Sequence, residues 1–552
     1  MPIDYSPHRL FLMAILAILF LSPESFADNI PATTQPYTLP IVEGKFSPDW
    51  NSLSQYQTPD WFCDAKFGIW AHWTAQCVPE QGDWYARKMY IQGDRDYAYQ
   101  IAHYGHPSVF GFKDIDNLWH AEHWDPEKLM QLYKHAGAKY FVALANHHDN
   151  FDTFNSTYQP WNSVNIGPHK DIVGTWAKAA RENGLRFGVS VHASHAWAWF
   201  EVAQGADKTG PLAGVPYDGK LTKADSVGKW WSGYDPQDLY AQNHTPGKGL
   251  VWDWDASKGA SIPDAAYCAK FFNRTIDLIN KYQPDLLYFD DDILPLYQVS
   301  DVGLKIAAHY YNTNMLNHGG QLEAVLNGKN LDPNQRKCLV WDIERGRSET
   351  IEPLPWQTDT CIGSWHYDVN TFNRHRYKTA DNVIHTLIDI VSKNGNLLLS
   401  IPVKGDGTID DDEINFLQQM AAWMDVNGEC IFNTRPFTIS GEGPASATTE
   451  PAKKSPGFNE GKQPLLGPHD IRFTTNGRVL YAIAMGWPTD NLLTIKTLAS
   501  HAKDYPGEIQ SIELLGSPAK ITWTRDDTGL TIDLPDTKPC EHAYAFKITP
   551  AQ

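Results

Sequence analysis

The sequence predicts an α/β protein in which a (β/α)8-like (TIM) barrel is followed by a C-terminal β-sandwich domain. Between about Trp61 and Ile401, short apolar runs alternate with helix-like stretches, which is typical of βα units on a parallel sheet. Polar residues stand where several of these runs end. Beyond Arg435 the pattern changes to short alternating strands separated by turn residues, which indicates a β-sandwich.

The barrel prediction depends on seven short apolar runs. The predicted strands are Phe67–His72, Tyr140–Asn146, Arg186–His192, Leu286–Asp290, Glu323–Asn327, Cys338–Glu344 and Asn396–Pro402. An eighth strand near Thr358–Gly363 is poorly marked but completes the barrel. The predicted helices include Pro126–Ala138, Ile172–Asn183, Ala265–Tyr282, Asp381–Lys393 and Thr408–Asn427.

The predicted strands end on residues that can carry chemistry. These ends are His72, His147-His148, His192, Asp290, Asn327 and Glu344. In a barrel of parallel strands, the C-terminal ends meet at one mouth, where active sites form. Because burying acidic groups is costly unless they are paired or used, we predict an active site there. The long insert Val202–Ala260 is expected to border it.

The C-terminal region shows the short alternating pattern of antiparallel strands. The predicted strands are Asp470–Thr474, Val479–Met485, Leu492–Ile495, Ser511–Leu515, Lys520–Arg525, Leu530–Leu534 and Ala543–Ile548. We therefore predict three segments: a secretory signal peptide over residues 1–27, a catalytic barrel over 28–434 and a β-sandwich over 435–552.

The signal peptide prediction explains the N-terminal apolar segment. Arg9 precedes the run Leu10–Leu21, and Ser25-Phe26-Ala27 offers small residues to a signal peptidase. The run is too short to span a bilayer, and no other segment has 18 or more apolar residues. No cysteine follows the expected cleavage point, so we expect export to the periplasm or the extracellular space, without a membrane anchor.

Composition argues against nucleic acid as a partner. The net charge is −19, from 65 acidic and 46 basic residues, whereas phosphate binding needs clustered lysine and arginine. The 21 tryptophans suit sugar rings as well as protein cores. Seven scattered cysteines show no CxxC spacing, so no structural zinc site is predicted, although export would permit disulfides.

Five segments carry recognisable motifs: Lys66-Phe-Gly-Ile-Trp-Ala-His-Trp73, Gly82-Asp-Trp-Tyr-Ala-Arg-Lys-Met-Tyr90, Asn146-His-His-Asp-Asn-Phe151, Pro284-Asp-Leu-Leu-Tyr-Phe-Asp290 and Trp423-Met-Asp-Val-Asn-Gly-Glu429. In this order they resemble the motifs of the retaining α-L-fucosidases of glycoside hydrolase family 29. The resemblance covers roughly Trp61 to Arg435. It implies a barrel followed by a β-sandwich and, as activity, removal of terminal fucose from a fucosylated oligosaccharide or glycoconjugate without a cofactor or metal.

The resemblance implies that Asp290 is the nucleophile. Asp292 shares its face of the strand but lies beyond the matched motif, so it ranks second. The acid/base is assigned to Glu344, with Asp342, Glu349 and Glu352 as the other acidic candidates. Retaining hydrolysis needs two such carboxyl groups about 5–5.5 Å apart.

Further residues are predicted to bind the sugar. By resemblance, His72, His147 and His148 hydrogen-bond its hydroxyls, and the predicted apolar walls are Trp73, Trp84 and Tyr85. Tyr288 stands where the family often has Trp, and His192 stands where many relatives carry Tyr. Arg345, beside Glu344, is expected to position it or to bind substrate, against the alternative of a simple surface ion pair between the two.

Three alternatives stay open from the sequence. A metal-dependent barrel hydrolase would use His72, His147, His148, His192 and Asp290 as ligands, although the chelating HxH pair on the first strand is missing. An inactive carbohydrate-binding protein is compatible with the many tryptophans. A related α-L-glycosidase could act on L-galactose, which differs from L-fucose by one hydroxyl on C6.

Overall fold

The computed structural model describes residues 39–241, 244–249, 251–445 and 457–551. Eight parallel strands form a closed barrel in chain order, which confirms the predicted fold class. The strands are β1 (Phe67–Ala71), β2 (Tyr140–Asn146), β3 (Arg186–Val191), β4 (Leu286–Phe289), β5 (Val325–Gly328), β6 (Val340–Glu344), β7 (Trp356–Cys361) and β8 (Gly395–Ser400). The predicted strand ends therefore do meet at one mouth.

Closure of the barrel depends on a close contact on β1. Strand β1 pairs with β8 on one side and with β2 on the other, and Gly68 is opposite Tyr140. A β-carbon at Gly68 would lie 2.3 Å from the Tyr140 ring. Only glycine therefore leaves room for this tyrosine, whose hydroxyl donates a 3.1 Å hydrogen bond to Gln357 Oε1 on β7.

Helices surround the barrel and precede it. They are α1 (Trp50–Leu53), α2 (Asp60–Ala65), α3 (Tyr85–Lys88), α4 (Arg95–His103), α5 (Phe112–Leu118), α6 (Pro126–His135), α7 (Ile172–Glu182), α8 (Ala196–Trp199), α9 (Pro236–Tyr240), α10 (Ala265–Tyr282), α11 (Val302–Asn317), α12 (Val369–Asn373), α13 (Ala380–Ser392) and α14 (Asp411–Asn427). The predicted helices agree with α6, α7, α10, α13 and α14 to within a few residues at their ends.

Helix α10 shows how the local sequence sets these bounds. Asp264 caps its start by accepting a hydrogen bond from the Tyr267 N–H, and Gln283 ends it in the left-handed region with φ 46°. Between them, a face that includes Phe272 and Ile276 is buried against the barrel core. The chain then enters β4, which places Asp290 at the mouth.

The C-terminal region forms two antiparallel sheets around one apolar core. Its strands are β9 (Arg435–Glu442), β10 (Ile471–Asn476), β11 (Val479–Ala484), β12 (Leu492–Ile495), β13 (Ile509–Leu514), β14 (Thr522–Asp526), β15 (Gly529–Asp533) and β16 (Tyr544–Pro550). The first sheet has the order β13-β16-β11-β10-β9, and the second has the order β12-β15-β14. Residues such as Phe473 and Phe546 from the first sheet pack with Leu493 and Ile532 from the second.

Some predictions from the sequence lie outside the described residues or differ from the structure. The proposed signal peptide, residues 1–27, is not described. In the described part of the chain, no helix is long and apolar enough to cross a membrane. All seven cysteines are described, and all are free thiols, so the disulfides that export would permit are not formed.

Candidate active site

Asp290 follows β4 directly, and three side chains surround its carboxylate. Its Oδ1 lies 2.6 Å from Lys329 Nζ, and its Oδ2 lies 3.1 Å from both His148 Nε2 and His192 Nδ1. Lys329, His148 and His192 follow β5, β2 and β3 respectively, so closure of the barrel brings them together. The structure thus places the predicted nucleophile against two of the predicted sugar-binding histidines.

Lys329 joins Asp290 to Glu344, the last residue of β6. Its Nζ donates 2.6 Å hydrogen bonds to Asp290 Oδ1 and to Glu344 Oε2. Because each oxygen lies 2.6 Å from the same nitrogen, the two oxygens are at most twice that distance apart, about 5.2 Å. Two carboxyl groups are therefore held close together across one cation.

The two carboxyl groups have opposite pKa shifts. Burial alone would raise the pKa of Asp290, but Lys329, His192 and His148 hold it well below its usual range. Burial raises the pKa of Glu344 to about 7, and the charges of Asp359 and Asp290 add to this rise against the opposing effect of Lys329. Below about pH 7, a carboxylate therefore stands beside a carboxylic acid, as nucleophile and acid chemistry require.

Further acidic groups lie buried in the barrel interior. The Tyr288 hydroxyl donates a 2.8 Å hydrogen bond to Asp359 Oδ2, and Asp342 accepts one of 2.9 Å from the side chain at position 357. Burial raises the pKa of Asp342 to about 7 and that of Asp359 well above its usual value. The Tyr288 ring centroid lies 5.5 Å from Lys329 Nζ, so this tyrosine supports the lysine while its hydroxyl is occupied by Asp359.

His147 and His192 offer complementary hydrogen-bonding atoms. The Gln76 side-chain amide donates a 3.0 Å hydrogen bond to His147 Nδ1, so the neutral His147 ring carries its proton on Nε2. His192 donates through Nδ1 to Asp290, which leaves Nε2 as a buried acceptor without a partner among the described residues. Burial lowers the pKa of both rings, that of His192 to about 4. A neutral donor and a neutral acceptor, with ring centroids 5.0 Å apart, suit a hydroxyl-bearing ligand.

His72 completes the predicted group of four histidines. Its ring centroid lies 5.6 Å from that of His192 and 6.4 Å from that of His147, and its Nδ1 lies 3.1 Å from Ser400 Oγ. Two tryptophan rings, Trp70 and Trp365, lie 3.9 and 4.8 Å from it. This side of the cluster is therefore apolar.

His366 is a fifth histidine in the cluster, and the sequence prediction missed it. The residue is fully buried in the loop after β7, and its ring centroid lies 4.7 Å from that of His147 and 5.9 Å from that of His72. Its Nδ1 lies 3.4 Å from Asp83 Oδ1, and its buried Nε2 has no partner among the described residues. Its loop position carries no strand-end pattern, so the sequence offered no signal for it.

Lys329 was also missed, although a signal existed. It stands two residues after Asn327, which is a predicted strand end, and lysine is rarely buried unless it is paired. A buried lysine at the mouth of a barrel with two acidic strand ends implies a shared ion pair.

The structure corrects the predicted roles of Trp73 and Tyr85 as walls of a sugar pocket. Trp73 is buried against Trp119 and other tryptophans, and its indole N–H donates to the Lys404 carbonyl oxygen at 2.7 Å. Tyr85 is fully buried, with its hydroxyl donating to Gln100 Oε1 at 2.6 Å. Side chains of successive residues in extended backbone point to opposite sides. Because His72 faces the mouth, the next residue, Trp73, packs into the core.

Arg345 also differs from its predicted role. Its guanidinium pairs with Glu460 at 2.8 Å, whereas Glu344 pairs with Lys329. Arg345 has φ 46°, in the left-handed region, so the chain turns sharply just after Glu344. The simple pair between Glu344 and Arg345 is not formed.

The remaining acidic candidates lie apart from Asp290 and Lys329 in their contacts. Asp292 is exposed and accepts a hydrogen bond from Asn330 at 2.8 Å. Glu349 is exposed, and Glu352 pairs with Arg336 at 3.2 Å. Lys329 therefore joins Asp290, the first-ranked candidate for the nucleophile, to Glu344, the residue assigned as acid/base.

The rim of the mouth is aromatic on the side of His148. The Trp252 ring, 40% exposed, lies 4.8 Å from the His148 ring and 5.7 Å from the Trp84 ring. His195 holds this segment by bonding to the Val251 carbonyl oxygen at 2.8 Å. The predicted insert therefore does border the site, and Trp84 lies at its rim.

Three of the histidines could also hold a metal ion. His147, His148 and His192 each offer a nitrogen within 4.8 Å of the others. However, His148 Nδ1 donates to the His192 carbonyl oxygen at 2.8 Å, and its Nε2 contacts Asp290. A metal bound by His148 would have to displace one of these contacts. The arrangement therefore favours His148 as a partner of the Asp290 carboxylate over His148 as a metal ligand.

Comparisons with known proteins agree on one family. A family model described as α-L-fucosidase matches residues 34–429, and one described as the α-L-fucosidase C-terminal domain matches residues 467–549. Tissue α-L-fucosidase from Mus musculus is 24% identical over 525 residues, covering 92% of this chain and 96% of the mouse protein. The Homo sapiens tissue enzyme is 25% identical over 521 residues, covering 92% of each.

Solved structures show the same fold. The Thermotoga maritima α-fucosidase in complex with fucose has 25% identity and a TM-score of 0.63, covering 91% of this chain and 100% of that one. The same protein with a mechanism-based inhibitor gives a TM-score of 0.66 at 24% identity and the same coverage. Isoenzyme 1 of Paenibacillus thiaminolyticus gives 0.60 at 19% identity, covering 91% of this chain and 100% of its own.

Proposed function

This chain belongs to the α-L-fucosidase family of glycoside hydrolases, and on that premise we propose that it is an exported exo-enzyme that removes terminal α-L-fucosyl residues from glycans with retention of configuration. The observation that carries the mechanism is the lysine-bridged pair of Asp290 and Glu344. Retaining enzymes hold their two carboxyl groups about 5–5.5 Å apart, and inverting enzymes about 6.5–9.5 Å apart. The upper bound of about 5.2 Å between the bridged oxygens supports retention.

In the first step, a carboxylate oxygen of Asp290 attacks the anomeric carbon of the fucosyl residue. The bond from that carbon to the aglycone oxygen breaks, and Glu344 gives its proton to this oxygen. In the second step, Glu344 removes a proton from water, whose oxygen attacks the anomeric carbon and releases Asp290. Lys329 keeps Asp290 ionised between turnovers, while Glu344, whose pKa is raised to about 7, stays protonated below about that pH.

The histidine cluster supports a neutral, hydroxyl-rich ligand. His147 presents an N–H, whereas His192 and His366 carry buried nitrogens without a partner among the described residues. On the other side of His72, the half-buried ring of Trp365 offers an apolar surface for a sugar methyl group. Fucose has both features. L-Galactose, with CH2OH in place of the methyl group, remains the alternative substrate, because this change is small for a pocket.

An aryl α-L-fucoside tests this proposal. We expect hydrolysis that is insensitive to chelators, and proton NMR should show the α-anomer as the first product before mutarotation. A β-anomer first would contradict retention. Loss of activity in EDTA with recovery on added metal would favour the metal-dependent alternative, and absence of turnover would favour the carbohydrate-binding alternative.

A further inference from the structure

Residues 457–460, here called the arm, reach from the C-terminal region to the loop that carries Glu344. The Phe458 N–H donates to the Glu344 carbonyl oxygen at 2.8 Å, and the Glu460 N–H donates to the Arg345 carbonyl oxygen at 3.0 Å. Asn459 exchanges two 3.1 Å hydrogen bonds with the backbone of Arg347. The arm therefore runs along the residues that directly follow β6.

The Glu460 side chain anchors the arm to the barrel. Its carboxylate pairs with Arg345 at 2.8 Å and with Lys378 at 2.8 Å, and it accepts a 2.7 Å hydrogen bond from Thr360 Oγ1. These partners come from the loop after β6, the segment before α13 and strand β7. Two partly buried ion pairs and one hydrogen bond, from three different segments, hold the arm more firmly than an isolated surface pair would.

Phe458 lies exposed at this anchored position. Its side chain is 48% exposed, although its backbone is bonded to Glu344. Its φ of 52° places it in the left-handed region, which bulky residues seldom adopt. Strained residues held by surrounding contacts occur preferentially at functional sites, where the strain serves placement. An exposed aromatic residue therefore stands at the backbone of the proposed acid/base.

The proposed mechanism indicates which part of the substrate lies beside Glu344. Glu344 must reach the aglycone oxygen, so the leaving sugar lies on the Glu344 side of the fucosyl residue. Aromatic rings offer an apolar face to the C–H face of a pyranose. We propose that the arm forms the binding site for the leaving sugar, a hexopyranose, with Phe458 as its platform. This inference rests on the proposed function and adds the class of aglycone.

The test compares two substrates that differ in the leaving group. α-L-Fucosyl fluoride has no leaving sugar, whereas α-L-fucosyl-(1→2)-galactose has one. In Phe458→Ala, we expect kcat/KM for the disaccharide to fall about tenfold, through a higher KM, with the fluoride unchanged. Leu465→Ala removes another exposed apolar side chain, which is 88% exposed and lies five residues beyond the arm, and should change kcat/KM for neither substrate.

Other outcomes separate the inference from its premise. If Phe458→Ala and Leu465→Ala had the same kcat/KM on each substrate, Phe458 would not be the platform for the leaving sugar. An equal loss of kcat/KM on the two substrates in Phe458→Ala would also overturn that role. Circular dichroism and the Tm should match the wild type, since an exposed side chain adds little packing. A second variant, Glu460→Gln, should also lose activity selectively on the disaccharide. Failure of the wild type to hydrolyse the fluoride would instead count against the proposed function itself.

Discussion

At the scale of single residues, Glu344 sets the pH dependence. Its pKa of about 7 means that the proton needed by the leaving group is lost as the pH rises past that value, so kcat/KM should fall there. Glu344→Gln has no proton to give. We expect loss of about 10²- to 10⁴-fold on oligosaccharides, much less on activated aryl fucosides, and a flat basic limb.

Glu349→Gln is the matched control for Glu344, because Glu349 is a nearby exposed glutamate. It should leave both substrates and the pH profile unchanged. An equal loss on aryl fucosides and oligosaccharides in Glu344→Gln would indicate that Glu344 positions substrate and another group donates the proton.

Lys329 should control both limbs of the pH profile at once. A neighbouring cation favours the charged form of a carboxyl group, so removing it raises the pKa of Asp290 and of Glu344. In Lys329→Gln, both limbs of kcat/KM against pH should therefore move to higher pH, with a lower maximum. Lys329→Arg keeps the charge and should keep the limbs near their wild-type positions. Unmoved limbs in Lys329→Gln would mean that the lysine does not tune these groups.

Site residues at the ends of strands could be predicted from the sequence, but contacts between loops could not. His72, His148, Asp290 and Glu344 follow apolar runs directly, and a parallel barrel collects such positions at one mouth. His366 lies in a loop, where no period fixes its direction, so its arrival beside His147 depends on tertiary structure.

At the scale of elements, a buried ion pair fixes the loop that carries His147 and His148. Arg274 on α10 pairs with Asp152 at 2.6 Å, and Asp152 also accepts a hydrogen bond from Asn146 at the end of β2. Both members of the pair are buried. Arg274→Met leaves Asp152 buried without its cation, which should cost about 3–5 kcal/mol of the free energy of unfolding and raise KM.

Denaturant unfolding measures this cost, with Lys178→Met on α7 as the control. Lys178 pairs with Glu182 one turn away at 3.9 Å, and both side chains are more than half exposed, so its loss should cost less than about 1 kcal/mol. Similar costs for the two variants would show that the Arg274 pair does not hold the loop.

Strand β9 shows why one element was missed. The strands predicted for the β-sandwich begin at Asp470, so β9 is not among them. Its residues are exposed or only half-buried in the structure, because β9 is the edge of its sheet. An edge strand with neither face fully buried lacks the apolar alternation on which the prediction depended. Strand β7, poorly marked in the sequence, was found because the barrel required an eighth strand.

At the scale of the whole molecule, Asp389 links the barrel to the β-sandwich. This buried carboxylate on α13 pairs with Arg347 at 3.2 Å, with Lys393 at 2.8 Å and with Arg472 of β10 at 2.6 Å. Despite burial, these cations hold its pKa far below the usual range. The link therefore adds stability at every pH above the unfolded-state pKa, about 3.9, and loses it only in stronger acid.

Asp389→Asn leaves three cations without their shared partner, and we expect a loss of about 3–5 kcal/mol in the free energy of unfolding at neutral pH. Asp381→Asn, on the same helix, removes a half-exposed carboxylate 3.5 Å from His542 and should cost under about 1 kcal/mol. Thermal or denaturant unfolding compares the two variants. Equal stability of Asp389→Asn and the wild type would show that other contacts join the two domains.

The most direct test of the central claim, that Asp290 is the nucleophile, is azide rescue. Asp290→Ala should lose several orders of magnitude in kcat on an aryl α-L-fucoside while remaining folded. Added azide should restore turnover and yield β-L-fucosyl azide, while Asp292→Ala stays near wild-type activity. Near-normal activity in Asp290→Ala, with loss and azide rescue in Asp292→Ala instead, would contradict the account.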